Sequence, residues 1–171
     1  CLRSEGRLLH AGVSVYSPEM ALRALDLDGI DIIQVPASLL DRRFARSDFY
    51  EQAAKRGVTV FVRSVFLQGV TMMAPSAAAD ILPIALPAVK ALESFCHQYH
   101  YDRHEFALRY ALAIDPELKV LVGVENADQI ESNCRCMRLG PLEAHACEKW
   151  NEFWPHDDEV LVNPSLWPKR K

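Results

Sequence analysis

Apolar and polar positions along the chain switch period repeatedly. Residues 8–15, 30–35, 58–62 and 119–122 are short, nearly continuous apolar runs bounded by turn residues, and each predicts a buried strand. Between them apolar residues fall at helical spacing. Ser17-Pro18-Glu19 predicts a helix start, with Ser as cap and Pro in the first turn, and Met20, Leu22 and Leu25 give helical apolar spacing before Asp28-Gly29 breaks the helix. A second helix is predicted over 47–56, with Phe49, Ala53 and Ala54 inward and Gly57 as its stop. A loop from Arg63 to about Ile81 follows the third strand. It is far longer than the ~2–6 residues usual for such a connection, and long loops are commonly functional or disordered. Helices are predicted near 83–99 and 103–113, the second opened by the capping-box pair Asp102 and Glu105. Asn126 and Gln129 repeat that pattern after the fourth strand, for a helix to about Met137. Gly140-Pro141 opens a last helix carrying Trp150 and Phe153, and the tail after Pro155 is expected to be irregular.

Strands that read as continuous apolar runs and alternate with helices predict an α/β fold with a parallel sheet covered by helices. Four β–α units make either an open doubly wound sheet or half of a (β/α)8 barrel. The open sheet usually places a Gly-rich phosphate loop after its first strand, and here that loop is Ser14-Val15-Tyr16-Ser17-Pro18, without glycine. The last unit runs from a strand through Gly123 into a capped helix, whose free N–H groups and dipole suit a phosphate. Barrels often hold phosphate after their seventh and eighth strands, which favours the second half of a (β/α)8 TIM barrel. Residues 1–171 then form one incomplete domain.

Composition narrows the function. With 19 basic against 23 acidic residues the net charge is −4, which lacks the electrostatic footprint of a nucleic-acid binder. Half the residues are hydrophobic and a quarter charged, which excludes wholesale disorder, and no apolar stretch reaches the ~20 residues of a membrane helix. Five cysteines without framework spacing point to a reducing, cytoplasmic setting. The start has no signal-peptide pattern, and a chain beginning at Cys1 is expected to be a truncated piece of a longer polypeptide. Cys96, His97, His100 and His104 lack the accompanying carboxylates of a catalytic zinc site, Cys134 and Cys136 lack a second pair, and no metal is expected. Ser14 and Ser64 lack a Gly-x-Ser-x-Gly elbow. Asp157-Asp158-Glu159 reads as a solvated acidic turn and Lys169-Arg170-Lys171 as a solvated end.

An ordered set of motifs carries a resemblance. These are residues 12–19 (GVSVYSPE), 33–36 (IQVP) with 39–43 (LLDRR), 62–69 (VRSVFLQG), 107–110 (ALRY), 122–125 (VGVE) with Gln129 and Asn133, and Asn163-Pro164 with Trp167. In this order they resemble the aldo/keto reductases of the bacterial-type branch, along nearly the whole chain but over only the second half of that family's barrel. The resemblance implies an NAD(P)H-dependent reductase of aldehydes and ketones. The family's catalytic Asp, Tyr, Lys and His lie on the first half, so no catalytic residue is expected in this chain.

What the resemblance carries over is cofactor binding. It implies that Ser14 and Gln34 hold the nicotinamide carboxamide, although Val15 stands where the family usually has Asn. Arg63 falls where many members place an aromatic ring over the nicotinamide; a guanidinium either stacks there or makes a surface ion pair. Ser64, Leu67 and Gln68 align with the segment around the pyrophosphate. Gly123 and Asn126 mark the adenosine-phosphate end, and Asn133 the adenine edge. Members that favour NADP(H) usually carry Lys or Arg near there, whereas this chain has Glu125 and Gln129, which favours NADH.

Four strands cut from a barrel leave two edges and an apolar inner face, so the chain is not expected to be a stable monomer. An upstream half, a separate chain or a second copy would close it. The alternative function is an inactive nucleotide-binding or scaffold half-barrel assembled with another copy or chain.

Overall fold

The structure, a computed structural model, describes residues 2–156 and 158–168. Lys169-Arg170-Lys171 and the first residue of the acidic turn, Asp157, lie outside the described residues.

Strands β1 (Gly12–Ser14), β2 (Ile32–Pro36), β3 (Thr59–Arg63) and β4 (Lys119–Val120) form one parallel sheet in the order β1-β2-β3-β4. Helix α1 (Pro18–Leu25) crosses from β1 to β2 and α2 (Phe49–Lys55) from β2 to β3. α3 (Pro75–Ile81), α4 (Leu86–Tyr99) and α5 (Arg103–Leu112) lie between β3 and β4, and α6 (Ala127–Leu139), α7 (Ala144–Phe153) and α8 (Glu159–Val162) follow β4.

Register divides the sheet into two unlike faces. Ile33, Val35, Val60 and Val62 are buried under α1, α2 and Phe44. The alternate positions Ile32, Gln34, Phe61 and Arg63 are only half-buried. Continuous apolar strands predict cover on both faces; the chain's own helices cover one. The other faces where a barrel interior lies. Among the described residues no strand pairs with the outer edge of β1 or β4.

β1 sits against β2 so closely that a Cβ on Gly12 would stand 2.3 Å from the Ile32 carbonyl oxygen. Asp31 ties the two strands at their start. Its Oδ2 accepts from the Ala11 N–H at 2.8 Å, and it pairs with Arg3. The Ala11 N–H, followed by Arg3, holds this carboxyl below the usual range.

The caps follow the chemistry of their side chains. Ser17 accepts from Met20 N–H, Asp102 from Glu105 N–H at 2.9 Å and Asn126 from Gln129 N–H at 3.0 Å. Glu105 does not complete the box with Asp102; its carboxylate reaches Arg109 one turn on, at 2.7 Å. Two helix faces depart from the apolar pattern of the sequence. α1 buries Ala21, Ala24 and Leu25 and leaves Met20 half-exposed, and α2 buries Phe49 and Ala53 with Ala54 exposed. Strand ends differ too. Leu9 is 80% exposed outside β1, and after β4 a single bond, Leu121 N–H to the Val62 carbonyl, continues the pairing.

Two segments expected to be irregular are ordered. The loop after β3 holds a 3-10 turn at Val70–Met72 and α3, which starts on Pro75 and buries Ala78. The tail holds α8, capped by Asp158, and a 3-10 turn at Pro164–Leu166. Neither shows a helical stripe, since α8 has four residues and α3 centres on three alanines with little apolar–polar contrast, and packing rather than propensity stabilises such short pieces. Leu161 and Val162 of α8 are buried in the second core, around Phe95, Phe106 and Trp150.

Trp150 donates its indole N–H to the Leu39 carbonyl at 2.8 Å, which fastens α7 to the loop after β2. Beside it the buried Arg42 donates to Asn151 Oδ1 at 3.0 Å and to the His156 carbonyl at 2.8 Å, while Tyr110 donates to the same Asn151 oxygen. Burial pushes the Tyr110 phenol up to about 12, so it remains a donor.

Candidate cofactor site

In a parallel sheet all C-terminal strand ends lie along one edge, and the loops there carry the site of an α/β protein. Ser14 ends β1, Pro36 ends β2 with Gln34 two residues before it, Arg63 ends β3 and Gly123 follows β4. The candidate residues form two groups on this edge.

At the β1–β3 end, Ser14 and Gln34 are register partners, and the Ser14 hydroxyl donates to Gln34 Oε1 at 3.1 Å. The pair therefore offers an amide NH2 as donor and a hydroxyl oxygen as acceptor on the half-covered face. A carboxamide carries the complementary C=O and NH2. Arg63 reaches back across the end of β2, its guanidinium 4.4 Å from the centroid of the Tyr16 ring and 3.2 Å from Ser64 Oγ. Among the described residues no carboxylate pairs with Arg63, so the surface ion pair is not formed.

The second group lines a cavity of about 450 Å³ that includes Gly69, Gly123, Glu125, Gln129 and Asn133. Gln129 Oε1 accepts from the Glu125 N–H at 2.7 Å and Asn126 Oδ1 from the Gln129 N–H, so both polar side chains hold the turn. Asn133 is buried, its Oδ1 2.8 Å from His104 Nε2. His104 stacks on Phe66 at 5.0 Å. Phe66, Met72 and His104 thus complete a wall that sequence reasoning did not assemble. They come from the β3 loop and α5, and no local pattern joins residues so far apart. Cys136 Sγ lies 3.7 Å from His104 Nδ1, and burial raises its thiol, which keeps it protonated. The described residues hold no group of three or more His, Cys, Asp or Glu that would hold a metal ion.

Between the groups runs the segment 64–69. Ser64, Leu67 and Gln68 have φ of 65°, 46° and 56°, and Gly69 follows at 82°. Such conformations cost free energy in residues other than Gly and persist where the surroundings impose them, often at ligand sites. The Leu67 side chain is buried in the helical core, so only its backbone is available to a ligand. The N–H groups of Gln68 and Gly69 meet no acceptor among the described residues, and successive free amides in left-handed turns suit an anion.

These features fit a dinucleotide. Gly123 adds a further test: a Cβ there would meet no atom of the chain within 4 Å. No atom of the described residues requires a glycine at this position, and the space beside it is open.

The fold and its edge site define the second half of a (β/α)8 barrel. A profile of the aldo/keto reductase family matches residues 1–155, and the chain belongs to that family. It is 27% identical over 141 residues to the pyridoxal 4-dehydrogenase of Microbacterium luteolum, covering 77% of this chain and 40% of that protein. The apo form of an aldo-keto reductase from Bacillus halodurans superposes with a TM-score of 0.72 at 26% identity, covering 95% of this chain and 57% of the other. A glycerol dehydrogenase from Gluconobacter oxydans shares the fold, with a TM-score of 0.68 at 19% identity, covering 95% of this chain and 53% of the other. The chain spans only about half the length of these relatives. No helix of the described residues is long and apolar enough to cross a membrane.

Proposed function

We propose that this chain is the cofactor-holding half of an NAD(P)H-dependent aldo/keto reductase that acts on a small aldehyde or ketone. The observation that carries this reading is the placement, along one strand edge, of a carboxamide-complementary pair, a strained amide-rich turn and a cavity beside Gly123. When bound, a dihydronicotinamide supplies the hydride for carbonyl reduction. Ser14 and Gln34 orient the ring end, the backbone of 64–69 binds the pyrophosphate, and Gly123, Asn126 and Asn133 receive the adenosine end. The general acid comes from outside this chain, on the half that closes the open sheet face. That half covers Ile32 and Phe61 and pairs the edges of β1 and β4, and it lies upstream in the same polypeptide or on another chain. A chain that binds nucleotide without turnover would use the same contacts; the presence of Tyr, Lys, Asp and His in the completing half separates the two.

Intrinsic-fluorescence titration of the closed assembly with NADH and NADPH tests the reading, and it fails if neither binds below millimolar concentration. Within it, replacing Gln34 with Leu removes the amide donors. Cofactor affinity should fall about tenfold or more, while stability changes by no more than ~1–2 kcal/mol. Normal binding by this variant would remove the carboxamide role.

We also propose a preference for NADH. Glu125 stands at the cavity that receives the adenosine end, where a carboxylate repels a 2′-phosphate and accepts from a ribose diol. Glu125→Lys should raise NADPH affinity about tenfold or more and leave NADH nearly unchanged. Equal gains for both cofactors would show that Glu125 does not face the ribose.

A further inference from the structure

Arg63 is the least conventional group on the site edge. The sheet fixes its position: two strand spacings, roughly 10 Å, separate the ends of β1 and β3, and the side chains of Tyr16 and Arg63 meet across them. The guanidinium is half-buried. One of its faces lies on the Tyr16 ring, its Nη1 bonds Ser64 Oγ, and no acidic side chain among the described residues neutralises it. An arginine carries its charge at every working pH. A full positive charge is therefore held over the end of β2, on the sheet face that carries Gln34 and one same-face position beyond it in register, by a platform the sequence did not reveal as a partner.

The nicotinamide ring is cationic when oxidised and neutral when reduced. Both forms carry the same carboxamide, so the carboxamide contacts distinguish them little. A fixed cation beside the ring does distinguish them, because it repels only the oxidised form, and partial burial limits screening by water. From this geometry we infer that Arg63, steadied by Tyr16, makes the site bind the reduced dinucleotide in preference to the oxidised one. The inference rests on the cofactor reading above and extends it: Tyr16 is a positioning residue, and the pair sets the direction in which the site is poised.

The experiment measures dissociation constants for NADH, NAD⁺ and ADP-ribose in the closed assembly at low ionic strength, for the parent protein and for Arg63→Met, Arg63→Lys and Tyr16→Leu. Circular dichroism and thermal melting confirm that each variant is folded. The parent should bind NADH about tenfold more tightly than NAD⁺. By linkage a tenfold ratio raises the potential of the bound couple by about 30 mV. Arg63→Met, which keeps a side chain on Tyr16, should reduce the ratio to near one. Arg63→Lys should retain much of it, and Tyr16→Leu should give an intermediate value. ADP-ribose lacks the ring, and its affinity should be the same in all four proteins.

A ratio unchanged in Arg63→Met overturns the inference while leaving the cofactor reading intact. A parallel loss of ADP-ribose affinity also overturns it, since the charge then acts on the diphosphate. Failure of NADH and ADP-ribose to bind the parent removes the cofactor reading and this inference with it.

Discussion

Replacing Trp150 with Ala should lower unfolding stability by about 4–5 kcal/mol. The residue is fully buried, its ring meets Phe95 and Phe106 at 5.3 and 6.1 Å, and its indole N–H satisfies the Leu39 carbonyl. Truncating a buried aromatic costs roughly 3–5 kcal/mol through lost transfer and the cavity left behind. The orphaned Leu39 carbonyl adds about 1 kcal/mol. Domains of this kind have only ~5–15 kcal/mol in total, so the variant should sit near the edge of folding. Urea unfolding followed by circular dichroism checks the value, with an unchanged slope showing that only stability moved. Trp150→Phe fills most of the volume but lacks the donor, and should cost about 1–2 kcal/mol; it provides a measurable point if the Ala variant does not fold. A loss under about 2 kcal/mol for Trp150→Ala would contradict the packing of α7 on the β2 loop. That packing bears on function, because the loop it anchors continues directly from β2.

Gly12→Ala should cost about 2–3 kcal/mol, and Gly123→Ala almost nothing. The new Cβ at Gly12 falls 2.3 Å from the Ile32 carbonyl oxygen and 2.8 Å from its Cβ, and neither atom is the end of a flexible side chain. Overpacking of this kind is relieved only by a backbone shift. β1 is a three-residue edge strand, so it should move away from β2 and carry Ser14 off Gln34. At Gly123 the same methyl meets open space. Its effect should appear only as weaker dinucleotide binding. Chemical unfolding of the two variants, together with exchange of the Val15 N–H that bonds the Gln34 carbonyl, distinguishes them. Equal destabilisation would refute the close β1–β2 approach.

Each element of the sheet was legible because its signal is local. Apolar runs at 30–35 and 58–62 and the caps Ser17, Asp102 and Asn126 act within a few residues of themselves. The order of motifs identified the half-barrel and the family. α8 was missed because the four residues Glu159–Val162 are too few to show a period, and α3 because Pro75–Ile81 centres on three alanines with little contrast between apolar and polar positions. Ala54, expected inward, is exposed, and Met20 of the apolar spacing in α1 is exposed as well, because the sheet beneath each helix selects which stripe is buried.

The sequence by itself determined which residue types stand in and after the strands: Ser14 and Arg63 close β1 and β3, Gln34 lies within β2, and Gly123 and Asn133 follow β4, by chain order alone. Only the tertiary structure decided what they meet. Ser14 faces Gln34 through strand register, Arg63 finds Tyr16 across an intervening strand, and Asn133 finds His104 from a separate helix. Chain order is a one-dimensional property and survives in the sequence. These contacts depend on how strands align and helices pack, and that is settled by the sum of many weak interactions over the whole fold.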